Sequence, residues 1–246
     1  MLPELLQNEC LDELIRGKAS IIQKKHGFRF GTDAVLLADF ALIRSRAKVM
    51  DFGAGTGVIA LLVALKNPGI QVSAVELQSD MAEMAQRSIL LNGLADRINL
   101  LCGDIRDAAR LFGYGLYDQV ICNPPYNELN RSLPPRTENR LFSRMEVGIS
   151  IEEICQSAFS ILKSGGRLSV VFPSQRLHEM LFAMDRTHLA PKRIRCVEPY
   201  PGRAPRIILL DAVKHGGSQL EWLPPLILQN EDGSYTEEWF RIYGDQ

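Results

Sequence analysis

Short apolar runs recur along this chain, separated by stretches with helical spacing. Runs at 48–52, 71–75, 98–101, 118–122, 167–172, 194–197 and 207–213 are each bounded by polar or turn residues and predict seven strands. Between them, residues 58–65, 80–91, 107–112, 151–162 and 175–184 carry apolar positions at helical spacing. Strands that alternate with helices require crossover connections, so most of the sheet is parallel with both faces covered. No helical stretch separates the last two strands, and their loop contains Pro199, Pro201 and Gly202, which predicts an antiparallel hairpin closing one edge. The expected fold is α/β, a doubly wound, mostly parallel seven-stranded sheet. Ahead of it, residues 1–15 read as an acidic lead-in with one helical turn. Residues 19–23 and 28–30 flank Lys24, Lys25, His26 and Gly27 and predict a small hairpin with a basic tip, followed by a Gly31-Thr32-Asp33 cap for a helix over 34–43. Residues 1–45 are read as an extension of the same domain, and 46–246 as the sheet domain.

Polar residues stand at the carboxyl ends of four successive predicted strands: Asp51, Glu76, Asp104 and Asn123. In open parallel sheets, ligands bind beyond those ends. Asp51-Phe52-Gly53-Ala54-Gly55-Thr56-Gly57 runs from the first strand into a helix, but Val58 stands where a dinucleotide fingerprint would have its last glycine. No Gly-Lys-Ser/Thr follows, which argues against a nucleoside triphosphate. Glu76, about 20 residues beyond the glycines, suits a ribose diol. Asp104 suits an adenine amino group, and Asp51 an ammonium or amide. Together these describe a nucleoside without phosphates, S-adenosylmethionine.

Asn123-Pro124-Pro125-Tyr126 ends the fourth predicted strand. Proline has no N–H for a sheet and holds its predecessor extended, so the strand stops in a stiff corner. The corner presents the Asn123 amide oxygen and the Pro124 carbonyl as two acceptors, with the Tyr126 ring close by. That set suits a planar group carrying an NH2. These residues are the expected catalytic group, and Asn123 is also counted with Asp51, Gly53, Gly55, Thr56, Gly57, Glu76 and Asp104 as cofactor-binding.

With these motifs, the chain resembles the bacterial tRNA(valine) adenine-N6-methyltransferases, class I S-adenosylmethionine-dependent enzymes carrying N-P-P-Y. The resemblance extends through Gly27-Phe28-Arg29-Phe30-Gly31-Thr32-Asp33, Ser143-Arg144-Met145-Glu146, Lys163-Ser164-Gly165-Gly166 and Pro199-Tyr200-Pro201-Gly202-Arg203. It departs at Met145, where many relatives have His. It implies methyl transfer to adenine N6 beside the anticodon, with the tRNA anticodon stem-loop as partner. The same acceptor pair also suits a glutamine amide, as in release-factor methylation. A non-catalytic RNA-binding module is a third possibility, against which the intact motifs argue.

Charge refines the picture. The net charge is −1, so nucleic-acid binding requires a local patch. Residues 16–48 hold eight basic against two acidic residues, and 192–206 hold five against one. The segment after the motif adds Arg131, Arg136, Arg140 and Arg144. Lys24, Lys25, Arg29, Arg136, Arg140 and Arg144 are the candidate substrate-binding residues. Five cysteines without a C-x-x-C, three of them inside apolar runs, read as buried, reduced thiols and not as a disulfide frame or zinc site. The histidines lack metal-ligand spacing, so no metal is expected. An acidic start without a leader, and no apolar run of membrane-span length, predict a soluble cytoplasmic protein. No oligomeric state is implied.

Overall fold

The computed structural model describes residues 5–15, 18–26, 29–124 and 148–243. Its elements, in chain order, are β1 (Glu9–Ile15), β2 (Ala19–Lys24), α1 (Thr32–Phe40), β3 (Lys48–Phe52), α2 (Val58–Lys66), β4 (Gln71–Glu76), α3 (Ser79–Leu91), β5 (Ile98–Cys102), α4 (Ala108–Phe112), β6 (Tyr117–Cys122), α5 (Ile151–Ile161), β7 (Leu162–Pro173), α6 (Leu177–Arg186), β8 (Leu189–Glu198), β9 (Ile207–Lys214), β10 (Glu221–Trp222), β11 (Leu226–Ile227) and α7 (Glu237–Tyr243).

The strands lie in the order β10-β8-β9-β7-β6-β3-β4-β5, with β11 also on β8. Seven of them are the seven predicted strands; the two-residue β10 and β11 extend the β8 edge in parallel. The pleat divides the core. Val49, Ile121, Val171 and Leu209 pack with α1 and α2 on one face. Met50, Val120, Cys122, Val170, Phe172, Ile208 and Leu210 pack with α4, α5 and α6 on the other. Apolar residues at consecutive positions therefore serve opposite layers, as a strand covered on both sides requires.

The late strands do more than close an edge. β9 inserts between β7 and β8 and is antiparallel to both. The sequence explains which strand goes inside. Ile207-Ile208-Leu209-Leu210 is apolar on both faces, whereas β8 carries Pro191 at a register shift and alternates with Lys192, Arg193 and Arg195. Proline without an N–H suits a bulge or edge, not a central position. Inside the sheet, Asp211 is fully buried. It accepts from Ser169 Oγ and from Arg193 Nη1 at 2.8 Å. Gln119 Nε2 donates to Ser169 Oγ at 2.6 Å, so a polar thread pins β9 to its neighbours.

Other boundaries differ from expectation. β7 begins at Leu162, before Gly165 and Gly166, because Leu162 pairs with Tyr117 and residues between it and Arg167 bulge out. The N-terminal hairpin pairs β1 with β2, Ile15 opposite Ala19 and Glu9 opposite Lys24, so Lys24 is not at a hairpin tip. Among the described residues 5–15, β1 stands where a helical turn was expected. The cause is long-range: Glu9 is buried by a bidentate ion pair with Arg87 of α3, at 2.5 and 2.8 Å. Cys102 is exposed, contrary to the expectation for a thiol in an apolar run, because it ends β5 at the sheet's rim.

The hairpin docks on α3 through backbone groups. Ser88 Oγ, fully buried, accepts the Ile22 N–H at 3.0 Å, and Asn92 both accepts from Ser20 N and donates to Ser20 O. Ser88→Ala should orphan the Ile22 N–H and cost about 1–3 kcal/mol. Urea unfolding checks the cost, and faster exchange of the Ile22 amide checks the location.

Candidate functional site

Four parallel strands end in step. Phe52 is level with Val75 and Cys122, and Glu76 with Cys102. The register thus brings Asp51, the glycine loop, Glu76, Asp104, Asn123 and Pro124 to one edge of the sheet.

Gly53, Gly55 and Gly57 all have positive φ, at 68°, 56° and 88°. L side chains rarely adopt such values, and no atom lies within 4 Å of a Cβ built at Gly53 or Gly55, so the loop's outer side is open. Its backbone donors are turned inward. Gly53 N and Ala54 N donate to Val75 O at 2.9 and 3.1 Å, Gly57 N to Ala54 O at 2.8 Å, and Gly55 N to Glu76 Oε2 at 2.8 Å. Ala60 N, in the first turn of α2, donates to Asp51 Oδ2 at 3.1 Å. A phosphate cradle needs such N–H groups free. Here five of them are spent within the protein, and residues 51–58 include no Lys or Arg.

Glu76 is nearly buried. Its Oε1 accepts Gln78 N and its Oε2 accepts Gly55 N, each at 2.8 Å. One bond per oxygen leaves lone pairs for further donors. Asp51 is fully buried, and among the described residues its Oδ1 has no hydrogen-bond partner; nor has the buried Thr56 Oγ1. Burial is the main cause that pushes the Asp51 carboxyl up to about 7; the Ala60 N–H opposes this, and nearby Glu76 adds to it.

Asp104 is gripped by Arg106, with Nε at 2.9 and 3.0 Å and Nη2 at 2.5 Å, and accepts Arg106 N at 2.9 Å. Arg106 reaches Glu153 at 3.5 Å. Glu153 in turn forms a capping box with Ser150 at the start of α5. Sequence reasoning missed Arg106. The signal was the Asp-x-Arg spacing at a strand end, where a cation two residues on can fold back over a carboxylate.

Asn123 is half-buried and Pro124 buried at the end of β6. Pro125, Tyr126, Arg136, Arg140 and Arg144 lie outside the described residues. Lys24 pairs with Asp80 in the first turn of α3, just past Glu76, and Arg29 with Asp12 at 2.5 Å; the exposed Lys25 reaches Gln7 O at 3.4 Å. Lys24 and Arg29 are therefore already charge-compensated. The basic segment 16–48 is also divided in space. Arg44 and Lys48 lie at the amino ends of the strands, beside Asp118 and Lys163, on the edge opposite Asn123.

This sheet order, with a glycine loop after its central strand, defines the class I methyltransferase fold. The chain belongs to the methyltransferase small domain family, which it matches over residues 25–187. It is 29% identical to a tRNA1(Val) (adenine(37)-N6)-methyltransferase of Porphyromonas gingivalis, with 87% of this chain and 86% of that protein aligned. It is also 29% identical to the enzyme of that name from Tolumonas auensis, over 90% and 91% of the two chains. Among solved structures, a predicted O-methyltransferase of Agrobacterium tumefaciens superposes with a TM-score of 0.71 at 26% identity, covering 87% of this chain and 96% of that one. A geranyl diphosphate C-methyltransferase of Streptomyces coelicolor shares the fold at 16% identity and a TM-score of 0.54, covering 74% and 76%. The protein is a methyltransferase.

The raised Asp51 carboxyl gives a pH signature. Its folded value lies above the unfolded one near 3.8, so the folded state binds the extra proton between them. Stability is then lost as pH rises from about 4 to 7. Asp51→Asn should abolish that slope and exceed the parent in stability above pH 7 by a few kcal/mol at most, roughly. Melting curves of the two proteins across this range check the sign.

Proposed function

We propose that the protein transfers a methyl group from S-adenosylmethionine to adenine N6 in a tRNA anticodon loop. The observation that carries the reading is Asn123-Pro124 at the end of β6, one strand from the glycine loop at the end of β3. S-adenosylmethionine, when bound, supplies an electrophilic sulfonium methyl. The loop fits that group better than a phosphate ligand, because its N–H groups are consumed and its charged groups are carboxylates. Glu76 has acceptor capacity left for two ribose hydroxyls. Asp104, oriented by Arg106, would take the adenine end, and Asp51 and Thr56 stand behind the loop with unmet hydrogen-bonding capacity.

An exocyclic amino nitrogen shares its lone pair with the ring and is a weak nucleophile. The protein's task is to hold it. The Asn123 amide oxygen and the Pro124 carbonyl accept its two N–H bonds, which turns the lone pair away from them and towards the methyl. Tyr126 is expected from the sequence to stack on the base. Positioning of this kind supplies several kcal/mol, up to about 7–11 in favourable intramolecular cases. The nitrogen becomes acidic as it is alkylated, so its proton departs afterwards to water without a strong base. A target base must leave its stack, which is cheapest in a single-stranded loop. The names of the curated relatives support this acceptor. A tRNA substrate would place the protein in the cytoplasm, and among the described residues no helix is long and apolar enough to cross a membrane.

Asn123→Ala should reduce turnover by about 10²–10³-fold, the scale of a lost transition-state contact, and weaken S-adenosylmethionine binding by far less, about fivefold at most. Glu76→Ala should instead weaken donor binding by at least about tenfold, the scale of lost hydrogen bonds to a charged group. Calorimetry with single-turnover assays separates the two effects. Mass spectrometry of tRNA nucleosides from cells lacking the protein should show loss of N6-methyladenosine. An unchanged tRNA profile together with methylation of a glutamine peptide would overturn the RNA reading.

A further inference from the structure

We infer that the turn between β8 and β9 is the RNA-docking surface, with Arg203 and Arg206 holding phosphates beside the target nucleotide and Tyr200 offering its ring to a neighbouring base. This rests on the reading of an RNA acceptor and specifies where that RNA lies. The turn is carried to the carboxyl edge by the inserted strand. Ile207 pairs with Pro173, Ile208 with Phe172, and Val170 of the same β7 with Cys122, next to Asn123. β9 is two strands from β6, which at the usual strand spacing is about 10 Å.

The turn's backbone is fixed while its side chains face outward. Arg203 N donates to Tyr200 O at 3.1 Å, Gly202 N to Glu198 Oε2 at 3.2 Å, and Ser174 ties in through N to Arg206 O at 3.0 Å and Oγ to Pro205 O at 2.5 Å. Tyr200 is 39% exposed. Gln229 N donates to Pro199 O at 3.1 Å, which ties the turn to the segment whose Tyr235 ring stacks on Trp239 at 4.5 Å. An exposed ring next to unengaged cations is what single-stranded nucleic acid requires, since every base has a face to stack and every nucleotide a phosphate.

Among the described arginines of this edge, charge accounting leaves these two without an ion pair. At the same edge Arg106 is spent on Asp104, Arg176 on Glu179 and Lys24 on Asp80, while Arg193 and Arg195 of β8 are spent on Asp211 and Glu238. Arg203 and Arg206 are exposed, and among the described residues neither forms an ion pair. Arg46 and Lys48 are exposed too, but they sit at the amino ends of the strands, about 17 Å away along a five-residue strand.

The test uses the full chain, S-adenosylmethionine, an unmodified tRNA transcript and its anticodon stem-loop. Arg203→Ala with Arg206→Ala should raise KM for RNA about tenfold with kcat within about twofold. It should also lower the salt dependence of binding by about 1.4 in the log–log slope, the value for two single-stranded phosphates. Replacing both by Lys should restore the slope. Tyr200→Ala should weaken binding without changing the slope. Arg46→Ala with Lys48→Ala, a control remote from the reacting edge, should change neither quantity. An active parent whose KM and slope are indifferent to the loss of Arg203 and Arg206 would overturn the docking surface and leave the RNA reading standing. A parent that binds and methylates no RNA would overturn both.

Discussion

The level ending of four parallel strands is the constraint on which the rest depends. Parallel pairing fixes register through evenly spaced hydrogen bonds, so residues with no sequence proximity arrive at one height. Asp51 faces Ala74 and Ile121 across the sheet, one residue short of the rim. Asn123 lies two residues beyond Ile121, and that difference in depth separates the two chemistries. The aspartate is sealed under the glycine loop with its carboxyl pushed up to about 7, whereas the asparagine, half-buried, emerges beyond the last ladder bond.

Glu76 couples the sheet to the loop. By accepting the Gly55 N–H it holds the three left-handed glycines in one arrangement, and by accepting the Gln78 N–H it fixes the entry to α3. The hairpin formed by β1 and β2 then packs on that helix. Its buried Glu9–Arg87 pair and the Lys24–Asp80 contact brace α3 from outside. A carboxylate at the rim is therefore both a scaffold element and a candidate ligand, with one hydrogen bond per oxygen already committed. The Ser150–Glu153 capping box plays a comparable double part for Asp104 through Arg106.

What could be read from the sequence, and what could not, divides along distance in the chain. The seven long strands and the glycine loop are written locally, as apolar runs ending in Asp51, Glu76, Gly103-Asp104 and Asn123. The hairpin is not. Nothing near Glu9 reveals that Arg87 neutralises it, so an acidic segment with a short apolar stretch resembles a lead-in. Arg44 and Arg203 looked like parts of comparable basic segments, yet the strand direction sends them to opposite edges. The position of β9 was half legible. Its antiparallel pairing with β8 was expected at one edge, but its insertion between β7 and β8 depends on the Asp211–Arg193 and Ser169 contacts, which no local pattern encodes.

That insertion has a consequence for biogenesis. The glycine loop, Glu76, Asp104 and the asparagine corner are all translated before β9, but β7 has no partner on its outer side until residues 207–214 emerge. During synthesis, the nascent chain on the ribosome therefore carries a complete rim above a sheet with one raw, apolar border, the kind of border along which polypeptides associate wrongly. β8, made earlier, cannot cover it without taking the wrong place. Only β9, running against its neighbours, seals the gap, and the buried Asp211 it brings with it finds its arginine in that one register.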